Sequence, residues 1–150
     1  NINFVSQNYF ARTKIFALDY QGNLLWEYLS PEGELQANAY DILPTDDGGY
    51  LVASGKGVEV VSNPNNSLLQ WQSYIFKLDE NRNFQWGVNL RDSLPQSTNQ
   101  LTKLIEVNDN SGYVTVGKIY KPDYVKNGWD HFGIISKISK QGDSLWTRYY

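Results

Sequence analysis

The stretch Ile75–Trp86, with the sequence IFKLDENRNFQW, decides the fold of this chain because it occurs three times. The other two copies are Ile15–Trp26 (IFALDYQGNLLW) and Ile135–Trp146 (ISKISKQGDSLW), so the repeat has a strict period of 60 residues. A fixed period of this size is typical of stacked or radial repeat proteins, in which each unit buries its faces only against its neighbours. The sequence therefore predicts an assembly of similar units.

A second motif alternates with the first. It is Ile42–Gly55 (ILPTDDGGYLVASG), which reappears as Ile105–Gly117 (IEVNDNSGYVTVG) with Ser111 where the first glycine of the pair is expected. In both motifs a polar turn joins two apolar runs, and Gly, Asp and Asn tolerate the left-handed backbone that a tight hairpin turn requires. Each period is therefore expected to hold four strands in two β-hairpins.

We expect eight strands in the two complete units and almost no helix, because no long run carries an apolar period of about 3.6 residues. The expected strands are Ala39–Leu43, Tyr50–Ala53, Tyr74–Leu78, Phe84–Val88, Thr102–Val107, Tyr113–Val116, Ile134–Ile138 and Ser144–Tyr149. In the third strand Phe76 and Leu78 point one way and Ile75 points the other. Apolar residues on both faces suit a sheet that lies between two other sheets, as a propeller blade does.

The fold class predicted from these motifs is all-β, with β-propeller blades of four antiparallel strands and about two and a half repeats. Residues 1–38 are expected to form a partial blade, and residues 39–100 and 101–150 two complete blades of one propeller domain. Because a closed propeller needs ~4–8 blades, this chain would leave an apolar sheet face open at each end. We therefore expect a piece of a larger propeller, whose partners are the remaining blades of the same polypeptide or another copy of the chain.

The composition excludes several classes of function. The net charge of −3 argues against a nucleic-acid surface. No apolar stretch approaches the ~20 residues that a membrane-spanning helix needs. The chain has no cysteine, which removes disulfides, thiol nucleophiles and cysteine-based metal sites.

Three segments resemble the repeats of large secreted β-propeller proteins of Bacteroidota. They are Asp46–Tyr50 (DDGGY), Ile75–Asp79 (IFKLD) and Gly142–Thr147 (GDSLWT), and the match spans most of residues 11–150. This chain departs from the pattern at Arg82, where the other two copies of the first motif have glycine. Proteins of that family commonly carry a C-terminal signal for type IX secretion. The resemblance implies an extracellular or cell-surface location and is specific for the repeat class rather than for an activity.

The residues suited to chemistry are few. The single histidine, His131, is expected in a loop before the last third strand, where Asp130 could orient it for catalysis, although a lone loop histidine is more typical of a surface residue. Asp46, Asp47 and Asp109 could supply oxygen ligands to Ca²⁺, but they lack the spacing of known calcium loops and are also typical turn formers. We predict no catalytic, cofactor-binding or metal-binding residue and no cofactor.

One polar position recurs at the start of the turn in each copy of the first motif. It is occupied by Asp19, Asp79 and Ser139. The pattern resembles Asp-box and quinoprotein-type repeats, in which this side chain pins the hairpin and the following tryptophan docks between blades. Because one copy has serine, we interpret the position as architectural.

Two segments between the motifs are predicted to be long loops, Lys56–Ser73 and Lys121–Asp130. Tyr124 and Trp129 in the second segment could stack on a sugar ring or a peptide, or pack against their own loop. The function predicted from the sequence is a non-enzymatic extracellular propeller scaffold or interaction module that binds glycan or protein through its loops. The alternative is part of a propeller enzyme, such as a glycoside hydrolase or a quinone-dependent dehydrogenase.

Overall fold

The structure is a computed structural model that describes residues 12–31, 37–63, 66–90, 98–123 and 127–150. These residues form strands and turns, and no helix is found among them. The strands are β1 (Lys14–Leu18), β2 (Leu24–Leu29), β3 (Ala37–Pro44), β4 (Tyr50–Asn63), β5 (Asn66–Leu78), β6 (Phe84–Leu90), β7 (Thr98–Glu106), β8 (Tyr113–Asp123), β9 (Gly128–Ile138) and β10 (Ser144–Tyr149).

The strands form three antiparallel sheets in which neighbours in sequence are neighbours in space. Strands β1 and β2 make a two-stranded sheet, called here the first hairpin. Strands β3 to β6 make the four-stranded second unit, and strands β7 to β10 make the four-stranded third unit. The all-β class and the two four-stranded antiparallel sheets predicted from the sequence are confirmed.

The three repeat tryptophans take the same position in their sheets. Each pairs with a residue nine positions earlier in the chain, and a register shift lies next to the pair in every case. The pairs are Trp26 with Ala17, Trp86 with Lys77 and Trp146 with Lys137. The strand pairing therefore repeats every 60 residues, as the sequence does.

The segments predicted to be long loops are extended hairpins, so that prediction was wrong. In the second unit β4 and β5 pair as far as Asn63 and Asn66, and Gly57 lies opposite Trp71. In the third unit β8 runs three residues past Tyr120, the partner of Thr98 in β7, and β9 begins six residues before Ile134, the partner of Tyr149 in β10. Each strand of a two-stranded ribbon pairs its inward N–H and C=O groups with the other strand and leaves the outward groups to solvent, so the pairing can continue past the edge of the four-stranded sheet.

The turn between β7 and β8 is one residue longer than its counterpart between β3 and β4, with six residues instead of five. Gly48 has a φ of 80° and donates its backbone N–H to the first residue of the shorter turn, Thr45, and Asn110, with a φ of 61°, donates in the same way to the first residue of the longer turn, Val107. Asn110 therefore takes the place of the first glycine, and Ser111 is the additional residue. This corrects the alignment predicted from the sequence.

The core consists of two clusters on opposite faces of the second unit. The first packs the second unit against the third and contains Leu51, Ala53, Ile75, Leu90, Leu101, Leu104, Tyr113, Ile134 and Ile138. The second packs the first hairpin against the second unit and contains Ile15, Val52, Phe76 and Leu78. The second unit is covered on both faces, and β5 divides its apolar residues between them as predicted.

Candidate functional site: contacts and surfaces of the repeat units

Trp86 lies at the contact between the second and third units. Its indole Nε1 donates a hydrogen bond of 3.1 Å to the backbone carbonyl of Lys140. Its ring centroid is 6.3 Å from that of Tyr113. A Cβ atom built at Gly142 would lie 2.7 Å from the ring atom Cε3, so the indole packs directly on the turn between β9 and β10.

Trp26 makes the corresponding contact one unit earlier. Its ring centroid is 4.9 Å from that of Tyr50, and the guanidinium carbon Cζ of Arg82 is 5.5 Å from the same ring. This distance is within the range of a cation–π interaction. Arg82 precedes Gly142 by one period and adopts the left-handed φ of 68° that glycine takes elsewhere. We call the surface formed by Arg82 with Tyr50, or by Gly142 with Tyr113, the tryptophan seat.

Trp146 has no such seat among the described residues and is 39% exposed. It belongs to the open face of the third unit, defined as Val114, Val116, Ile135 and Trp146. The strand pairing places these residues where the second unit has Leu51, Ala53, Ile75 and Trp86. The three aliphatic residues of the second unit are fully buried against the third unit, whereas those of the open face are only partly buried.

Two carboxylates, one from each unit, accept hydrogen bonds across the contact between the second and third units. Asp41 of the second unit accepts hydrogen bonds from Lys103 Nζ at 3.0 Å and from the backbone N–H of Leu104 at 2.8 Å. Glu106 of the third unit accepts a hydrogen bond from the backbone N–H of Asp46 at 3.0 Å. The contact between the two sheets is therefore fixed by polar bonds as well as by apolar packing.

Asn99 is a buried side chain that links three strands. Its Oδ1 accepts a hydrogen bond from the backbone N–H of Ser73 in β5, and its Nδ2 donates to the carbonyl of Leu90 in β6 at 2.8 Å. Both backbone groups would be left unpaired in a buried place by an apolar residue at this position. Asn99 thus holds β7 of the third unit against the second unit.

The recurring polar position of the first motif pins the turn that follows it. Asp19 Oδ1 accepts hydrogen bonds from the backbone N–H groups of Gln21 and Asn23 at 2.9 and 2.8 Å. Asp79 makes the same two bonds one period later, both at 2.8 Å. Ser139 Oγ accepts the equivalent two bonds at 3.2 and 3.0 Å. The side-chain and backbone bonds from Asn23 lower the pKa of Asp19, and its oxygens are engaged within the turn.

Asp47 is bound to a buried lysine. Lys77 is 1% exposed, and its Nζ lies 2.9 Å from each carboxylate oxygen of Asp47 and 3.0 Å from the carbonyl oxygen of Leu78. Thr45 Oγ1 donates a hydrogen bond of 2.6 Å to Asp47 Oδ1. Burial raises the pKa of Asp47, but hydrogen bonds from Thr45, Lys77 and Gly49 outweigh burial and lower the pKa to about 2.

The third unit builds this site differently. Lys137 Nζ donates a hydrogen bond of 2.7 Å to the hydroxyl of Ser111, the additional residue of the turn. Asp109 Oδ1 accepts the backbone N–H of Ser111 at 2.9 Å, and the hydrogen bonds from Ser111 lower the pKa of Asp109. Asp47 and Asp109, two of the three carboxylates considered as calcium ligands, therefore accept hydrogen bonds within their own turns, whereas Asp46 uses its backbone N–H to bond Glu106. Within the described ranges no three His, Cys, Asp or Glu residues are grouped to hold a metal ion.

The second glycine of each DGGY-type turn is required by a close approach of the backbone. A Cβ atom at Gly49 would overlap the carbonyl oxygen of Leu78, and one at Gly112 would overlap that of Ile138. The two carbonyls are one period apart. This contact explains why glycine precedes the tyrosine in both copies of the second motif.

His131 lies within β9 and not in a loop, which corrects the sequence-based expectation. It pairs across the hairpin with Tyr120, and the two ring centroids are 4.7 Å apart at an interplanar angle of 78°. Asp130 is its neighbour in the same strand, so the two side chains point to opposite faces. Strand geometry therefore does not bring this pair together as an acid–base site.

The two described tryptophans of the extended hairpins differ in exposure. Trp129 in β9 is 55% exposed near the end of its hairpin. Trp71 instead packs on its own hairpin, because a Cβ atom at Gly55 would overlap its ring. Tyr124, the other aromatic residue considered from the sequence, lies outside the described residues.

A small cavity and an open cleft lie among the described residues, and neither resembles a pocket for a small molecule. A cavity of about 120 Å³ between the first hairpin and the second unit is lined by aromatic rings, including Tyr28, Tyr74, Phe76 and Phe84. A polar cleft of about 380 Å³ is lined by Asp47, Asp79, Glu80 and Gln85. The aromatic cavity is smaller than the ~300–1,000 Å³ of ligand pockets, and Asp47 and Asp79 in the cleft are bonded within their own turns.

Sequence reasoning did not find Asn99, Asp41 or Glu106. The strand pairing places Lys103 in the third unit where the second unit has Asp41, so the bonds of this carboxylate are not repeated. The sequence prediction rests on the 60-residue repeat, and a repeat cannot reveal a contact that occurs only once.

No family model matches this chain, and no curated protein sequence matches it significantly. Among the residues that the structure describes, none forms a helix long and apolar enough to cross a lipid bilayer.

Proposed function

We propose that this chain is part of an extracellular β-propeller that acts as a non-enzymatic scaffold or interaction module. Each 60-residue unit is one blade, with residues 39–100 and 101–150 as complete blades. The observation that carries the proposal is the repeated use of the tryptophan seat. Trp26 and Trp86 dock on equivalent residues of the following unit, and consecutive face-to-face packing of four-stranded sheets is how a propeller is built.

The extended hairpins and the exposed Trp129 support a binding role. Among the described residues, 57–63 and 66–72 of the second unit belong to strands that pair there only with each other, so the β4–β5 hairpin extends beyond the paired parts of β3 and β6. The β8–β9 hairpin presents Trp129, whose exposed ring can stack on the face of a sugar or on an apolar side chain. The partner is a glycan or a protein that contacts the extended hairpins.

The engagement of the turn carboxylates supports a non-enzymatic role over a propeller enzyme. A glycosidase needs two carboxyl groups ~5–10 Å apart with free oxygen atoms on either side of the scissile bond. Asp19, Asp47 and Asp79 instead accept hydrogen bonds from their own turns. The resemblance to type IX secretion substrates supports the extracellular or cell-surface location.

Hydrogen exchange on the whole chain tests the scaffold. Because Trp86 joins the second and third units, Trp86→Ala should lower amide protection in β7 and β8 as well as in β6. His131→Ala, on the extended hairpin, is the matched control and should leave protection of β7 unchanged. Loss of protection confined to β6 would show that the units are not coupled.

A glycan array tests the binding role. Trp129→Ala should abolish any signal that the unaltered chain gives, whereas Tyr20→Ala, an exposed aromatic at a turn of the first hairpin, should keep it. A signal that survives Trp129→Ala would move the binding surface away from the β8–β9 hairpin. Release of product from a chromogenic glycoside would favour the enzyme.

A further inference from the structure

We propose that Asn127 is a site of spontaneous deamidation, at which the chain converts this residue to aspartate and isoaspartate without an enzyme. Asn127 and Gly128 form the one Asn–Gly pair in the sequence. Both residues are exposed near the end of the β8–β9 hairpin, where Asn127 lies in the turn and Gly128 begins β9. The proposal goes beyond the proposed function, since it holds whatever partner this hairpin binds.

The reaction needs only the chain and water. The backbone nitrogen of Gly128 attacks the side-chain Cγ of Asn127, so that a new C–N bond forms while the bond from Cγ to Nδ2 breaks. The proton of the Gly128 nitrogen leaves with Nδ2 as ammonia, and a cyclic imide remains. Water then opens one of the two C–N bonds of the imide ring, which gives aspartate or isoaspartate. Glycine suits this ring closure because it has no Cβ atom to crowd the attacking nitrogen.

The end of the hairpin gives the Gly128 nitrogen the freedom that this attack requires. Gly128 forms the final pair of the β8–β9 ladder, with Asp123. The last pair of a ladder opens more readily than pairs inside a sheet, because fewer contacts hold it. Asn127 has a left-handed φ of 52°, a conformation that is less favourable for a residue with a side chain than for glycine. The reacting groups are therefore accessible and weakly constrained.

Asn110 is a matched comparison in the same chain. It is also exposed and has a similar left-handed φ of 61°. The nitrogen that would attack its side chain belongs to Ser111, whose N–H donates a hydrogen bond of 2.9 Å to Asp109 Oδ1. The N–H of Asn110 itself donates to the carbonyl of Val107 at 3.0 Å. Because a hydrogen bond to a charged acceptor must break before the attack, folding should slow the conversion of Asn110.

The one Asp–Gly pair of the sequence, Asp47–Gly48, is also protected. The N–H of Gly48 donates a hydrogen bond of 2.9 Å to the carbonyl of Thr45. The carboxylate of Asp47 is held by Thr45 and Lys77, and an ionised carboxylate is a poor target for a nucleophile. Asn127 is thus the least protected of these three positions.

The conversion changes the end of the hairpin in two ways. A carboxylate replaces an amide two residues before Trp129, which adds a negative charge there. In the isoaspartate form the backbone also gains a carbon atom next to Gly128, which disturbs the pairing of Gly128 with Asp123. Amide protection should therefore fall at the end of the β8–β9 hairpin in the converted chain and stay unchanged in β3 and β4.

Peptide mapping by mass spectrometry tests the proposal on the whole chain. The chain is kept in warm, mildly alkaline buffer, both native and unfolded in guanidinium chloride, and loss of the amide at Asn127 and at Asn110 is followed over time. The unfolded chain gives the intrinsic ratio of the two rates, Asn127 to Asn110. In the native chain this ratio should be about 10-fold higher or more, because a charge-assisted hydrogen bond protects only Asn110.

Two variants separate the contributions. Gly128→Ala should slow the conversion of Asn127 several-fold in both states, since its Cβ atom crowds the attacking nitrogen. Asp109→Ala frees the N–H of Ser111, so its native ratio should fall toward that of the same variant unfolded. A ratio that is equal in the native and unfolded states of the unaltered chain would overturn the proposal. A native chain that keeps the amide of Asn127 while Asn110 loses its own would overturn it as well.

Discussion

The indole ring of Trp86 packs on the backbone of Gly142, 56 positions later in the chain, and leaves no room for a Cβ atom there. The same place in the preceding unit holds Arg82, which covers Trp26 with its guanidinium group instead. The tryptophan therefore packs on a glycine backbone at one contact and under an arginine guanidinium group at the equivalent contact.

A matched pair of glycine substitutions measures this contact. Gly142→Ala should cost about 2–3 kcal/mol, because the left-handed backbone is strained for alanine and the Cβ atom displaces Trp86. Gly22→Ala has nearly the same φ with nothing above it, and should cost only the backbone strain of about 1 kcal/mol. Urea unfolding of both variants gives the difference. Equal costs would show that Trp86 does not depend on Gly142.

Truncation of the tryptophan itself should be costly. Trp86→Ala should lower the free energy of unfolding by about 3 kcal/mol, since it removes ring packing on Tyr113 and the hydrogen bond to Lys140. His131→Ala removes an exposed ring that contacts Tyr120 and should cost less than about 1 kcal/mol. Denaturant melts compare the two. The reverse order would mean that the core lies elsewhere.

Asp47 gives the chain a defined dependence on acid. Its pKa falls from 3.8 to about 2 on folding, so the ionised carboxylate stabilises the fold above about pH 4 and this contribution is lost as the pH falls toward 2. Asp47→Asn should cost about 1 kcal/mol at neutral pH, because the half-exposed carboxylate is partly screened and the buried Lys77 loses its charged partner. The difference in free energy of unfolding between this variant and the unaltered chain should become smaller below about pH 4.

The double variant Asp47→Asn with Lys77→Met identifies the cause of that loss. It removes the buried ammonium group together with its partner and should recover most of the stability. Urea titrations at neutral and acid pH follow all three proteins. A double variant as unstable as Asp47→Asn would assign the loss to the turn and not to Lys77.

Asn99 should tolerate little change. Asn99→Leu leaves the backbone N–H of Ser73 and the carbonyl of Leu90 without partners in the core, and should cost about 2–4 kcal/mol. Gln141→Leu, in an exposed turn, should stay within about 0.5 kcal/mol. Thermal melts measure both. A neutral Asn99→Leu would show that water reaches these two groups.

Chelation should leave the melting temperature unchanged. The oxygens of Asp47 and Asp109 are used by Thr45, Lys77 and Ser111, so we expect these residues to form turns and not a calcium site. A metal bound only to the folded chain would raise the melting temperature by mass action, and its removal would lower it. Scanning calorimetry with and without chelator decides. A clear drop would restore the calcium interpretation.

The repeated strands and tryptophans of the fold could be predicted, whereas the extended hairpins and the contacts that occur once could not. The position of Trp86 and the two faces of β5 follow from a period of 60 residues and from alternation within a strand. The long β4–β5 and β8–β9 ribbons were missed because their segments contain turn-forming residues such as Asn63, Asn65 and Pro122, which are typical of loops in a sequence. The place of Ser111 was misjudged because the longer turn shifts the alignment by one residue.

Asn99 and Asp41 escaped for a different reason. Their bonds join one particular pair of units, and the period contains no second example. Such contacts depend on two surfaces that meet only after folding. These single contacts fix the position of one sheet relative to its neighbour, whereas the repeated residues determine the order of strands and sheets.

The tryptophan seat also bears on how a chain of this kind could grow. Every unit carries both a tryptophan for the next unit and a turn residue for a preceding tryptophan, and Arg82 and Gly142 are the two residues that contact a tryptophan at this position. A gene segment duplicated in steps of 60 codons would bring donor and acceptor together in each new copy. Such duplication would leave each existing junction with a complete set of partners, so lengthening the array would require no compensating mutation at the tryptophans.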